Sequence, residues 1–168
     1  MKKCFLVMLV IAFISCGKNN SKKSITSENW NTRIATLNAA DSLEFGKSYL
    51  SVYSQIYSNT EHTTHNLTAM VSLRNVSDVD TIYILNTKYF DTHGKLVKTY
   101  FDKPIFLSPL ETVEIIIDEK NIAGGTGSNF LFEWKIPKNT PEPLFEAVMN
   151  STMSQQGLSF TTQARRIQ

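Results

Sequence analysis

The residues best equipped for chemistry fall in a few short segments. Glu61, His62 and His65 place a carboxylate and two imidazoles close together. A zinc-protease helix needs its histidines at i and i+4 with a glutamate between them, so that both rings reach one ion. Here the histidines stand at i and i+3, the glutamate lies outside them, and Thr63, Thr64 and Asn66 suit a solvated hairpin tip. No metal is expected there, so the pair is carried forward only as a candidate ligand or partner loop. Gly124, Gly125 and Gly127, followed by Asn129, make a second candidate, because glycines let backbone N–H groups close on an anion. Dinucleotide and P-loop sites, however, set such glycines between a strand and a helix. Residues 129–136 (NFLFEWKI) alternate as a strand, and no Gly-Lys-Ser/Thr follows. The stretch reads as a sharp inter-strand turn or as a loop for a ligand or partner.

Other candidates are thinner. His93 sits in a turn without a Gly-x-Ser-x-Gly nucleophile pattern, and Asp118-Glu119 lacks the alternating ligands of a calcium loop. No catalytic residue and no cofactor is expected. Tyr49, Tyr53 and Tyr57, with Tyr83 and Tyr89 across a sheet, form either core and cross-strand packing or an exposed aromatic platform for glycan or protein.

Cys16 has the most specific surroundings. Lys2 and Lys3 precede an uncharged apolar run over residues 5–14 (FLVMLVIAFI). It is shorter than the ~20 residues of a membrane-spanning helix but suits the h-region of a secretion signal. Phe13-Ile14-Ser15-Cys16 then resembles a bacterial lipobox, with Phe13 where Leu is usual. Three parts follow: residues 1–15 as a lipoprotein signal peptide, 16–45 as lipidated cysteine and linker, and 46–168 as a folded domain. Cys4, the other cysteine, leaves with the signal, so no disulfide is expected. Residues 17–27 (GKNNSKKSITS) read as a flexible tether with three lysines. No acidic run follows Cys16, which favours a periplasm-facing position over the cell surface.

Loss of Lys2 and Lys3 reduces 17 basic side chains to 15, against 15 acidic ones. No global field then steers the chain to nucleic acid.

The elements that position these residues are strands. Residues 30–45 suit a short helix or an irregular segment packed on the domain. From Gly46 onward the pattern has period two: 48–58, 67–74, 81–90, 96–101, 112–118, 129–136, 144–150 and 158–164. Asp91-Thr92-His93-Gly94 is a hairpin signal, and Pro104 and Pro109 exclude a regular central strand between them. The fold class is all-β: an antiparallel, immunoglobulin-like β-sandwich of about 7–8 strands, with a closed barrel as the alternative.

Several stretches in order carry a family resemblance: Tyr53-Ser54-Gln55-Ile56-Tyr57, Leu73-Arg74-Asn75, Tyr89-Phe90-Asp91, Gly94-Lys95-Leu96-Val97, Leu107-Ser108-Pro109-Leu110-Glu111-Thr112, Gly124 to Phe130 with Glu133-Trp134, and Gln156-Gly157-Leu158-Ser159-Phe160. The set resembles a bacterial family of extracytoplasmic domains known as domain of unknown function thirty-one twenty-four, over nearly all of residues 46–167. Ser128 stands where the family has Ala. The resemblance implies an envelope location and brings no catalytic residues with it. The expected role is a non-catalytic binding or interaction module, held to the membrane by lipid on Cys16, with an envelope protein or glycan as partner and no nucleic acid. The alternatives are an enzyme of unrecognised type and a structural envelope component.

Overall fold

The computed structural model describes residues 28–38, 42–152 and 157–168. The expected signal peptide, Cys16 and the lysine-bearing tether lie outside the described residues. Twelve strands follow in chain order: β1 (Leu43–Val52), β2 (Gln55–Ser58), β3 (Thr60–Asn66), β4 (Thr68–Arg74), β5 (Ile82–Phe90), β6 (Leu96–Phe101), β7 (Ile105–Leu107), β8 (Thr112–Ile117), β9 (Ser128–Pro137), β10 (Leu144–Ser151), β11 (Leu158–Gln163) and β12 (Arg165–Arg166). Two short 3₁₀ turns, Trp30–Arg33 and Ile122–Gly124, are the helical elements among the described residues.

Every strand pairing is antiparallel. A six-stranded sheet runs β12-β1-β9-β5-β6, with β7 also on β5; a four-stranded sheet runs β11-β10-β4-β8; and β2-β3 form a hairpin of their own. The two larger sheets bury their inner faces in one core. β9 shows why: Phe130, Phe132, Trp134 and Ile136 are buried, while Asn129, Leu131, Glu133 and Lys135 between them are only partly so. Phe132 stacks on Phe145 of β10 with ring centroids 4.1 Å apart, joining the sheets at their centre. Each such ring removed from water contributes about 1.5–3 kcal/mol.

The sheets do not close into a barrel. The chain instead passes between them at two edges. β11 pairs with β10 and β12 with β1, so the C-terminal strand changes sheets at Ala164, whose N–H donates to the Phe145 carbonyl at 2.9 Å. At the other edge β7 lies on β5 and β8 on β4.

The strand count exceeds the expected seven to eight for local reasons. The segment 48–58 divides because Ser54 turns inward, its N–H donating to Gly125 O at 3.2 Å and its carbonyl accepting from Leu67 N at 2.9 Å. Residues 60–66, expected as a hairpin tip, form β3, with the turn at Asn59 (φ 61°). β7 is the Pro-bracketed segment; β5 is the one strand it pairs with among the described residues, its other side meeting only the isolated bridge from Ile34, which suits a piece that Pro104 and Pro109 keep from becoming a central strand. The stretch after residue 28 packs on the domain: Trp30 meets Phe101 at 4.9 Å, Ile34 bridges Ile105, and Arg33 bonds both Glu28 and, at 2.7 Å, Glu111.

Two measurements check this account. A Cβ built on Gly46 would lie 2.2 Å from the buried Trp134 ring, which itself donates to Ser48 Oγ at 3.0 Å. Gly46→Ala should therefore cost about 1–3 kcal/mol in urea unfolding. The second concerns acid. Burial pushes the Glu111 and Glu133 carboxyls up, but Ser108 N–H and Arg33 at the first, and Lys47 and Asn86 at the second, outweigh it and leave both below 4.5. A carboxylate with a lower pKa folded than unfolded adds stability above its unfolded value and loses it as pH falls through the folded one. The denaturation midpoint should drop from about pH 5 downward, and less steeply in Glu111→Gln.

Candidate functional site

The glycine-rich segment is tied to a buried polar chain. Ser54 Oγ lies 2.7 Å from the Tyr89 hydroxyl, which donates to Ser128 Oγ at 3.1 Å; Ser128 donates in turn to Val52 O at 2.7 Å. Gly124 closes over this chain. A Cβ there would stand 1.8 Å from the Tyr89 oxygen and 2.7 Å from each serine oxygen. Gly125 has φ 70°, a conformation that favours glycine. The loop's own polar groups are used internally: Gly124 O accepts from Thr92 N and Thr92 Oγ1, Gly125 O accepts from Ser54 N and Gln55 N, and the N–H groups of Gly125 and Gly127 donate to Ile122 O and Thr92 Oγ1. Close packing accounts for Gly124, and close packing with a left-handed backbone for Gly125; a side chain at Gly127 would meet only ordinary contact with Thr92. Asn129 is separate from them, on the outward row of β9 opposite Ser51 and Phe90.

The histidines sit on β3. His65 pairs with Ile56 near the base, while the His62 side chain is 83% exposed with Glu61 at 3.4 Å. No group of three His, Cys, Asp or Glu able to hold a metal occurs among the described residues. The tyrosines divide. Tyr89 is in the core and Tyr53 packs partly against it, 5.8 Å from Phe160. Tyr57 projects from the β2-β3 hairpin, and Tyr49 and Tyr83 lie on the outer face of the six-stranded sheet.

That outer face gathers the most chemistry. Its rows follow from register: Phe45, Lys135 and Tyr83; then Lys47, Glu133 and Asn86; then Tyr49, Leu131 and Lys88; with Arg165 of β12 opposite Tyr49. Glu133 is the carboxylate of these rows. It is occupied by Lys47 Nζ at 3.1 Å and Asn86 Nδ2 at 2.5 Å. The side chains of Lys88, Lys135 and Arg165 make no hydrogen bond or ion pair among the described residues. Beside them an open groove of about 530 Å³ runs between Tyr49, Ser51, Gln163, Arg165, Arg166 and Ile167. Arg166 is fixed in it by Glu142, by Phe45 O at 3.3 Å and by the Trp134 ring 5.2 Å away.

A second cleft, about 380 Å³, lies where Trp30 and Asn31 meet Tyr100 and Asp102. Burial, with Tyr89 nearby, pushes the Tyr100 hydroxyl up to about 12, so it stays protonated at neutral pH.

A family model described as "Protein of unknown function (DUF3124)" matches residues 46–167. The chain belongs to this family. No curated protein matches the chain. A solved structure titled "Crystal Structure of Thermotoga maritima 1070" is similar at 14% identity, covering 71% of this chain and 92% of that one, with a TM-score of 0.46. Of the stretches that marked the family in the sequence, Tyr89, Gly124 and Gly125 meet at the Ser54 chain, and Glu133-Trp134 contributes one residue to the outer face and the next to the core.

Sequence reasoning missed Ser54, Ser128 and the cations of the face. Alternation along β9 signals that Lys135 points outward, but Lys88 faces out only because β5 shifts register between Ile84 and Asn86, and Arg165 lies on a two-residue strand, so only the pairing shows that the three share a surface.

The Gly124–Tyr89 contact has a distinctive energetic signature. Gly124→Ala drives a methyl into the Tyr89 hydroxyl, and Tyr89→Phe leaves Ser54 and Ser128 short of a partner at about 1–3 kcal/mol. The double variant removes the nearest of the three close contacts, that with the Tyr89 oxygen, and leaves those with Ser54 and Ser128. Its cost should fall short of the two single costs combined by more than about 0.5 kcal/mol; strict additivity in urea unfolding would refute the contact.

Proposed function

We propose that this chain is a lipid-anchored bacterial cell-envelope protein whose β domain is a non-catalytic binding module, working through the outer face of the six-stranded sheet. The observation that carries the binding role is the trio Lys88, Lys135 and Arg165, which lack internal partners beside the exposed Tyr49 and Phe45. Cations whose side chains form no hydrogen bond or ion pair within the described fold, set among aromatic side chains, suit an external partner. The sequence supports the anchor: a charged start, a short apolar run and Ser15-Cys16 in the order that lipoprotein processing requires. On this reading residues 1–15 are removed, 16–45 hold the lipid and linker, and the domain of 46–168 faces the periplasm.

The scaffold suits an immunoglobulin-like sandwich. Two antiparallel sheets share a core, the chain crosses between them at both edges, and the hydrophobic inner rows alternate with polar outer ones.

Cys16→Ser tests the anchor. In the producing bacterium the variant should lose all labelling by radioactive fatty acid and should come off membranes in a high-salt wash that leaves the unaltered protein behind. Undiminished labelling of Cys16→Ser would refute the lipoprotein reading.

A further inference from the structure

We propose that the partner of the outer face is the anionic surface of a phospholipid bilayer, so that the domain lies against the membrane with the six-stranded sheet facing the head groups; this rests on the binding face and the anchor proposed above. Charge is the first support. The described residues hold all the charged side chains except Lys2, Lys3, Lys18, Lys22, Lys23 and Asp41, which leaves them acidic by two. The outward rows of the large sheet reverse that balance, with Lys47, Lys88, Lys135 and Arg165 against Glu133. An acidic domain with one basic face is attracted to an anionic plane in one orientation.

The residues between the cations fit the same environment. Tyr49 is 37% exposed and Phe45 36%, with Leu131 and Tyr83 completing the rows. Tyrosine is favoured where an apolar body meets a polar boundary, and lysine stems cover apolar surface while their heads reach phosphate.

Chain entry is the third support. Trp30 and Ile34 attach at Phe101 and Ile105, on the strands that flank β5 in this same sheet. The stretch from Cys16 to the first described residue, Glu28, reaches about 40 Å when extended. The five strands of the β12-to-β6 path, about 4.8 Å apart, span only about 20 Å. A lipid on Cys16 therefore leaves enough chain for the whole face to lie flat.

The test uses the processed chain from residue 16 onward, carrying Cys16→Ser so that no acyl chain contributes, and co-sedimentation with vesicles. It should bind phosphatidylglycerol vesicles and not phosphatidylcholine vesicles, and added salt should release it. Each basic side chain near such a surface contributes roughly fivefold, so Lys88→Glu, Lys135→Glu and Arg165→Glu together should weaken binding by about a hundredfold or more. Lys18→Gln, Lys22→Gln and Lys23→Gln should leave most of the binding intact. The single changes Lys88→Gln, Lys135→Gln and Arg165→Gln should each give a partial loss with an unaltered melting curve, which separates lost charge from lost fold.

Absence of binding to phosphatidylglycerol would overturn the proposal, as would loss on changing the tether but not the face. Binding to a soluble anionic polysaccharide such as polygalacturonate, with none to vesicles, would also overturn it and assign the face to a glycan. Each of these failures would leave the anchor standing, because fatty-acid labelling at Cys16 is measured separately.

Discussion

The register of β9 between β1 and β5 is the constraint on which the rest depends. Side chains on a strand alternate with period two, so one register determines both what is buried and what is displayed. Phe130, Phe132 and Trp134 enter the core because Leu131, Glu133 and Lys135 do not. A slip by one residue would exchange the aromatic row for the charged one, with a loss of several kcal/mol for each misplaced ring or charge. Core and outer face are therefore two consequences of a single pairing, and a change that shifts β9 alters both.

Local devices hold that register. At one end of β9, Ser128 takes the Tyr89 hydroxyl of β5 and reaches Val52 O of β1, so three adjacent strands meet in one buried chain of hydrogen bonds. Toward the other end, Trp134 packs over Gly46 of β1 and bonds Ser48. A buried hydroxyl without its partner costs about 1–3 kcal/mol, so this pattern penalises neighbouring registers as well as favouring the observed one. The glycines at 124 and 125 follow from the same requirement. The loop must cross over Tyr89 and Ser54 with no room for a side chain, and its carbonyls must meet Thr92, Ser54 and Gln55.

Where local pattern and tertiary demand agree, the sequence is legible. Residues 96–101 coincide with β6, and the boundaries expected for β4, β5, β8, β9 and β10 are within one or two residues of those observed. Gly94 has φ 76° in the hairpin that Asp91 caps by accepting from the N–H groups of His93 and Lys95. Legibility fails where a distant contact decides. Nothing near Tyr53 and Ser54 announces the break between β1 and β2, because its cause is Gly125, far along the chain. The threonines of β3 have strand propensity without the apolar alternation that identifies a strand. The segment from 28 to 34 shows too little periodicity to reveal that its attachment depends on Phe101, Ile105 and Glu111. The candidate surface was legible by type and not by place: alternation marks Lys135 as outward, but only the pairing of β5 and β12 puts Lys88 and Arg165 on the same face.

The charge balance shows why composition is a weak guide to surfaces in a two-sheet protein. A count of acids and bases averages over the molecule, whereas an antiparallel sheet sorts its side chains into two populations that never mix. On the four-stranded sheet the outward positions include Glu114 and Glu146, with Arg74 bonded to the latter at 3.1 Å. On the six-stranded sheet Glu133 is already bonded by Lys47 and Asn86, so the surrounding cations outnumber the carboxylates of the face. Two sheets of opposite character can thus share one core and sum to nearly zero. A molecule so arranged has too small a net charge to draw it toward an anionic polymer in bulk solution. At distances within a Debye length, about 8–10 Å at ordinary salt, it presents the field of one face alone. Such a field acts only on something already close, and a partner reached by tether rather than by diffusion meets that condition.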